Sequence, residues 1–149
     1  MSNINDVIIL ISYLQLLIIS FLAATILPLS SELVLSTMLL TDSFDKYLLL
    51  VVASFGNIFG SSVNWYLGKK ILIFKDKKWF PVNEKQIAKS EMYFKKYGIW
   101  SLLLAWVPII GDPLTVIAGI LRVNFFTFLL LVSISKTSRY IFLIFIIFK

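Results

Sequence analysis

Apolar residues run in four blocks along the chain: Val7 to Leu40, Tyr47 to Leu67, Ile99 to Leu121 and Phe125 to Phe148. A membrane-spanning helix needs about 20 predominantly apolar residues. The second and fourth blocks have that length without a proline, and each predicts one uninterrupted span. The first block is too long for one span and is broken at Pro28 to Glu32. The third is broken at its centre by Pro108, Gly111, Asp112 and Pro113. Proline lacks an N–H and disfavours helix at the residue before it, so neither block reads as continuous helix. Each predicts two half-helices meeting at a turn inside the membrane. Such irregular backbone survives only where protein buries it or where it lines a wet cavity. Ser30 or Ser31 would cap the later half-helix of block one, with Glu32 in its first turn. In block three Asp112 would be the cap and Pro113 the first helical residue.

The two breaks are related. A shift of 80 residues carries Pro28 onto Pro108, Glu32 onto Asp112, and the span Tyr47 to Leu67 onto Thr127 to Ile147 without a gap. Each copy is a broken hairpin followed by one full span, so the copies would have inverted topology. Ligands of such folds bind near the midplane, at the tips of half-helices. The expected fold is an all-α integral membrane protein: two re-entrant helical hairpins plus spanning helices in an inverted repeat. The chain would be one membrane domain, with repeat one at about 7–68, a linker at 69–97 and repeat two at 98–149.

Composition agrees with lipid as the solvent. The chain is 59% hydrophobic with mean hydropathy +0.91, more apolar surface than a soluble domain of this length can bury. The net charge is +6, and the stretch from Lys69 to Lys96 supplies all of it, with nine lysines against Asp76, Glu84 and Glu91. A lysine-rich loop beside apolar spans is a positive-inside signal and predicts that 69–97 is cytoplasmic. Nucleic acid is not the expected partner. Within the loop, Asn83 to Tyr97 reads either as an amphipathic surface helix, with Ile87, Met92 or Phe94, and Tyr97 on lipid, or as an ordinary solvated loop helix. The segment before Val7 holds Asp6 and no basic residue, and no cleavage signal follows, so the first span is expected to be retained.

There is no cysteine and no histidine. Thiolate chemistry, the commonest metal ligand and the commonest general base are thereby removed. No nucleophile–base pair is evident, and neither enzyme activity, a metal nor a cofactor is expected. The candidate chemistry is ionic. Glu32 and Asp112 are carboxylates at membrane depth, where a charge costs several kcal/mol unless protonated, paired or hydrated. They are the candidates for proton or ion coupling. Arg139 and Lys136 are their expected partners and the candidates for binding an anionic substrate, Arg139 through its planar fork of donors. Lys136 belongs to a polar stripe of Ser133, Lys136, Thr137 and Tyr140. The aligned stripe of the earlier span holds Ala53, Gly56, Asn57 and Gly60, extended by Asn64. Asn57 and Asn64 are further substrate-binding candidates, although bridging between helices is their simpler role. Gly56 and Gly60 have the spacing of close helix packing. Pro28, Pro108, Gly111 and Pro113 make the hairpin breaks.

Three segments together resemble the DedA family: Pro-Leu-Ser-Ser-Glu at 28–32, Gly-Asn-x-x-Gly-x-x-x-Asn-Trp-Tyr-x-Gly at 56–68, and Trp-x-Pro-x-x-Gly-Asp-Pro at 106–113 with Ala118-Gly119. The resemblance is to its short YqaA-like branch, also described as having a VTT (SNARE-associated Golgi-type) domain, and covers about Leu22 to Tyr140. It implies re-entrant hairpins in inverted repeats and a bacterial inner-membrane, multi-pass location. It also implies movement of undecaprenyl phosphate or phospholipids, tied to proton or sodium gradients. Two positions depart from the family pattern: Ile109, Ile110 and Gly111 follow Pro108 where an arginine is usual, and Ser61 follows Gly60 where an acid is usual.

Two functions follow as expectations. One is a transporter or lipid flippase moving an anionic lipid or small solute, with lipids, protons or sodium ions and a second copy of the chain as candidate partners. The other is a structural or assembly protein of the envelope that transports nothing. They differ in whether Glu32 and Asp112 face one shared wet cavity.

Overall fold

The computed structural model describes residues 2–25, 30–41, 43–70 and 84–149. The described elements are helical: α1 (Ser2–Thr25), α2 (Ser31–Leu39), α3 (Lys46–Lys69), α4 (Glu84–Tyr97), a 3₁₀ helix (Gly98–Leu104), α5 (Gly111–Ile120) and α6 (Phe125–Ile147). Three of them, α1, α3 and α6, are long and apolar enough to cross a membrane. Two were expected. Block one does not divide into two half-helices: its first arm is the 24-residue α1, which ends shortly before Pro28, and only its second arm is short. The 21 predominantly apolar residues from Val7 to Leu27 precede the break, enough to span on their own. Pro28 itself lies outside the described residues.

The helix starts follow local chemistry. Asp45 caps α3 by accepting the Leu48 N–H at 2.8 Å. Asn124 caps α6 by accepting from Phe126 at 2.9 Å, and Ser30 caps α2 by accepting from Leu33 at 3.3 Å, as the sequence predicts. Asp112 does not cap α5. Ile110 holds the cap position and α5 begins at Gly111, because the Gly111 N–H already bonds the Val107 carbonyl at 2.9 Å. Pro113 thus falls in the first turn, where its missing N–H has no intrahelical partner to lose. The carboxylate of Asp112 is left free for a partner outside its own helix. The end of α5 is closed by a left-handed residue, Arg122 (φ 53°), with Arg122 N–H on Gly119 and Val123 N–H on Ala118 at 3.0 and 2.9 Å. This pairing satisfies two orphan carbonyls of the helix end.

Small residues set how the helices meet. Any Cβ at Gly56 would lie 2.5 Å from the Leu17 carbonyl oxygen, and any at Gly60 would lie 2.5 Å from that of Phe21. The predicted glycine face is therefore the α1–α3 contact. At the far end of α3, Gly68 faces the Val116 carbonyl while Gly119 faces that of Trp65, so α3 and α5 cross backbone against backbone. The α3 stripe Ala53, Gly56, Asn57, Gly60 and Asn64 is buried throughout.

The apolar core falls into two clusters. One joins Trp65 to Leu114, Ile117, Phe128 and Leu131, with Phe94 and Leu102. The other joins Leu16, Leu35, Leu49, Ala53 and Tyr140. The C-terminal half of α3 thus meets the N-terminal half of α6 and the reverse, so these two spans run antiparallel. Phe94 belongs to the first cluster and is buried, whereas the sequence allowed it a place on lipid. Met92 is exposed on α4, as are Lys85, Lys89, Lys95 and Lys96; the side chain of Ile87 lies outside the described residues. Between the two clusters lies a polar layer.

Candidate functional site

The polar layer is built on two acid–base pairs. Lys136 and Arg139 are three residues apart on α6, which places them on one face. The Lys136 ammonium lies 2.8 Å from Asp112 Oδ1, and the Arg139 guanidinium lies 2.6 Å from Glu32 Oε1. Each acid stands in the first turn of a short helix, Glu32 in α2 and Asp112 in α5. A charge at membrane depth persists only when paired or hydrated, and α6 supplies both cations. The second Glu32 oxygen accepts from the Ser30 hydroxyl at 3.2 Å.

All four ionised residues line one cavity of about 300 Å³, together with Asn57 and Pro108. The acids therefore face one shared space. Burial differs between the pairs. Lys136 is 3% exposed and held within protein, whereas Asp112 is 40% exposed. Glu32 and Arg139 are each about a quarter exposed.

The break that carries Pro108 is strained. Ile109 follows it with φ 73°, a left-handed conformation that β-branched residues rarely adopt, and its side chain borders the same cavity. Gly111 packs against the Ala105 carbonyl with no room for a Cβ. Pro113 is buried within α5. The two prolines and the glycine thus serve the turn.

Asn57 and Asn64 separate. Asn57 lines the cavity, donates to the Tyr140 hydroxyl at 2.9 Å, and has a carbonyl oxygen with no hydrogen-bond partner among the described residues. Asn64 donates to the Ala24 carbonyl at 2.7 Å and to Thr115 at 3.2 Å. It ties α1 and α5 to α3 and does not line the cavity.

Sequence reasoning gave Tyr140 no role beyond its stripe. Its buried hydroxyl joins Ser31 at 2.8 Å and Asn57 at 2.9 Å, linking α2, α3 and α6 directly behind the Glu32–Arg139 pair. The available signal was its position one turn after Lys136 on the same face. Trp106 likewise had a place only in the 106–113 motif. Its backbone N–H donates to the Ser135 hydroxyl at 3.0 Å, which itself donates to the Leu103 carbonyl at 2.9 Å. These bonds hold the second break against α6.

The profile of a family described as the VTT domain matches residues 27–149. The chain is 34% identical over 131 residues to the inner membrane protein YqaA of Escherichia coli (strain K12), covering 88% of this chain and 87% of that protein. It is 33% identical to an uncharacterized protein of Haemophilus influenzae, covering 85% and 82%. A more distant similarity, 26% identity over 97 residues, is to undecaprenyl phosphate transporter A of Staphylococcus aureus, with 60% of this chain and 48% of that protein covered. No solved structure matches.

Proposed function

The chain belongs to the VTT-domain, or DedA, family, and from that premise we propose that it is a transporter or lipid flippase moving an anionic lipid or small solute with proton or sodium coupling. It is a multi-pass protein of the inner membrane. The observation that carries the reading is the single cavity into which two acid–base pairs converge from α2, α5 and α6. An anion entering it competes with Glu32 for Arg139. Protonation of Glu32 releases the guanidinium, and return of the carboxylate expels the anion. The name of the staphylococcal relative supports a phosphate-headed cargo.

The reading includes an inverted repeat. Under the 80-residue shift the first residue of α2, Ser31, falls on the first of α5, Gly111, and the start of α3 falls one residue from that of α6. The antiparallel course of α3 and α6 supports the same relation. The helices α2 and α5 have nine and ten residues and reach about 15 Å at ~1.5 Å per residue, half of a hydrocarbon core of about 30 Å. They act as re-entrant arms that bring Glu32 and Asp112 to the midplane. The domain division follows: one membrane domain, repeats at about 7–68 and 98–149, and a cytoplasmic linker at 69–97.

The test is a lipid and solute transport panel on reconstituted protein, with and without a pH gradient and with and without sodium. Glu32→Gln and Asp112→Asn should abolish gradient-driven movement. Full transport by both variants in folded form would sink the coupling mechanism. One observation favours a non-transporting structural role: each acid is already neutralised by its partner. That role predicts no movement of any cargo, and a stable partner on crosslinking.

A further inference from the structure

Helix α4 turns its apolar side onto the bundle. Phe94 is 8% exposed and belongs to the cluster of Trp65, Leu102 and Leu114. Ser90, one turn earlier on the same face, is also buried. What remains outside is basic. Lys85, Lys89, Met92 and Lys96 follow at i, i+4, i+7 and i+11, one stripe of a helix. All four are exposed, with Lys95 beside them. Among the described side chains of α4, Glu91 is the one acid.

The stripe has a definite depth. At the end of α4 Tyr97 is 46% exposed, and in the 3₁₀ helix that follows directly Trp100 is 65% exposed. Exposed tyrosine and tryptophan beside apolar spans settle at the level of the head groups. The Lys96 ammonium lies 5.1 Å from the centre of the Tyr97 ring. The ends of α3 and α5 lie nearby: Gly68 packs on Val116 and Gly119 on Trp65, and Trp65 shares its cluster with Phe94. These ends add Lys69, Lys70 and Arg122, all exposed. Seven exposed cations therefore collect at one end of the bundle, at the level the two aromatics mark.

We propose that the outer face of α4 is a docking surface for anionic head groups of the adjoining leaflet. The lipids it holds are stationary neighbours and not cargo, so the inference stands apart from the transport reading. Charge and depth choose the occupant. A leaflet surface needs only cations at head-group level, and each lysine there adds to the attraction. An acidic protein would seek an apolar centre for its interface, and Met92 is the one large apolar side chain exposed within the stripe. Because α4 packs on α5, head groups bound here fix the level of the short helix that carries Asp112.

The chain has no cysteine, so one fluorophore can be attached through Ala88→Cys, an exposed position on the outer side of α4. The full chain is reconstituted in phosphatidylcholine vesicles. The probes are phosphatidylglycerol and phosphatidylcholine, each spin-labelled near the glycerol end of one chain, which quench only at close range. Phosphatidylglycerol is expected to reach half-quenching at a mole fraction at least about threefold lower. Salt at about 1 M, which shortens the screening length to about 3 Å, should bring the two curves together. So should the change of Lys85, Lys89, Lys95 and Lys96 to glutamine in one variant, with helix content unchanged by circular dichroism. A fluorophore attached through Thr41→Cys, exposed beyond the end of α2 in the other half of the bundle, should show no preference. Equal quenching by the two lipids at position 88 overturns the proposal. So does a preference that survives the fourfold variant or appears equally at position 41. If the surface ignores phosphatidylglycerol and binds a polyglutamate peptide through the same lysines, its partner is an acidic protein and the lipid assignment falls.

Discussion

The Lys136 ammonium lies 2.8 Å from the Asp112 carboxylate with only 3% of its side chain exposed, while Asp112 keeps 40% of its own. The two members of this pair are therefore unequal in what they lose if left alone. Without Asp112 a buried cation has no counter-charge; without Lys136 the carboxylate still opens onto the cavity.

Removal of the acid should be the more damaging change. Asp112→Ala is expected to destabilise the protein by roughly 3–5 kcal/mol, the range for stranding one partner of a buried pair. Lys136→Met, which keeps an unbranched chain in an apolar site, should cost about 1–2 kcal/mol. The double variant should recover most of the loss. Unfolding in micelles measures all three, and equal losses for the two single variants would refute the asymmetry.

Tyr140 ties α2 to α3 and α6 through its hydroxyl contacts with Ser31 and Asn57 at 2.8 and 2.9 Å. Tyr140→Phe keeps the ring and strands two buried polar groups, so it should cost about 1–3 kcal/mol. Ser31→Ala removes one end of the same network. Because the two positions share a bond, their combined loss should fall short of the sum by about 0.5 kcal/mol or more. Additive losses would mean that the hydroxyls do not act as a unit.

Glycine positions separate packing from backbone conformation. A Cβ at Gly119 would collide with the Trp65 carbonyl, and one at Gly60 would lie 2.8 Å from the Ala24 methyl. Alanine at either should force α3 away from its neighbour and cost about 1–3 kcal/mol. Gly98 has nothing within 4 Å of its would-be Cβ, but its φ is +60°, so Gly98→Ala should cost only about 1–2 kcal/mol from left-handed strain. The discriminating readout is salvage. Ala24→Gly removes one of the side-chain atoms that crowd a Cβ at Gly60 and should recover part of that loss, whereas no neighbour change should help Gly98→Ala.

The charged centre was legible because the bilayer offers few alternatives. Four ionisable residues lie within apolar blocks, and lipid leaves them little but one another as partners. The close α1–α3 contact was legible for a similar reason: glycines four apart on a span mark an approach of backbones. The symmetry of the two breaks misled the reading of block one. Pro28 and Pro108 align, but Pro28 follows a full span's length of apolar residues and Pro108 follows only Gly98–Leu104 and a turn. The start of α5 was misread because an Asp-Pro pair has strong local cap chemistry, while the deciding contact is the Gly111 N–H on Val107. Phe94 carried an apolar pattern that cannot distinguish lipid from a protein neighbour. The shared cavity needed segments brought together from Glu32 to Arg139, which periodicity cannot show.

Ile109 offers a test of the second break itself. Its φ of 73° costs an L-residue about 1–2 kcal/mol, and the strain is increased by branching at Cβ. Its side chain is 74% exposed, so little packing offsets that cost. Glycine adopts the same angle freely, though it also adds about 0.4–1 kcal/mol of unfolded-state entropy. Ile109→Gly should therefore leave stability unchanged or raise it by up to about 1 kcal/mol, where a glycine in an ordinary turn would lower it. Ile109→Ala is the control: it keeps the positive φ, loses only the added strain of branching, and should gain less than glycine does from relief of strain. Thermal unfolding of both variants in micelles gives the answer. Equal losses for glycine and alanine would show that the side chain, and not the backbone angle, matters at this position. If glycine is tolerated, the same variant reports on function, because Ile109 borders the cavity shared by Glu32 and Asp112. A break held taut by strain keeps Asp112 aimed at Lys136, and relaxing it should lower the transport rate while the protein remains folded.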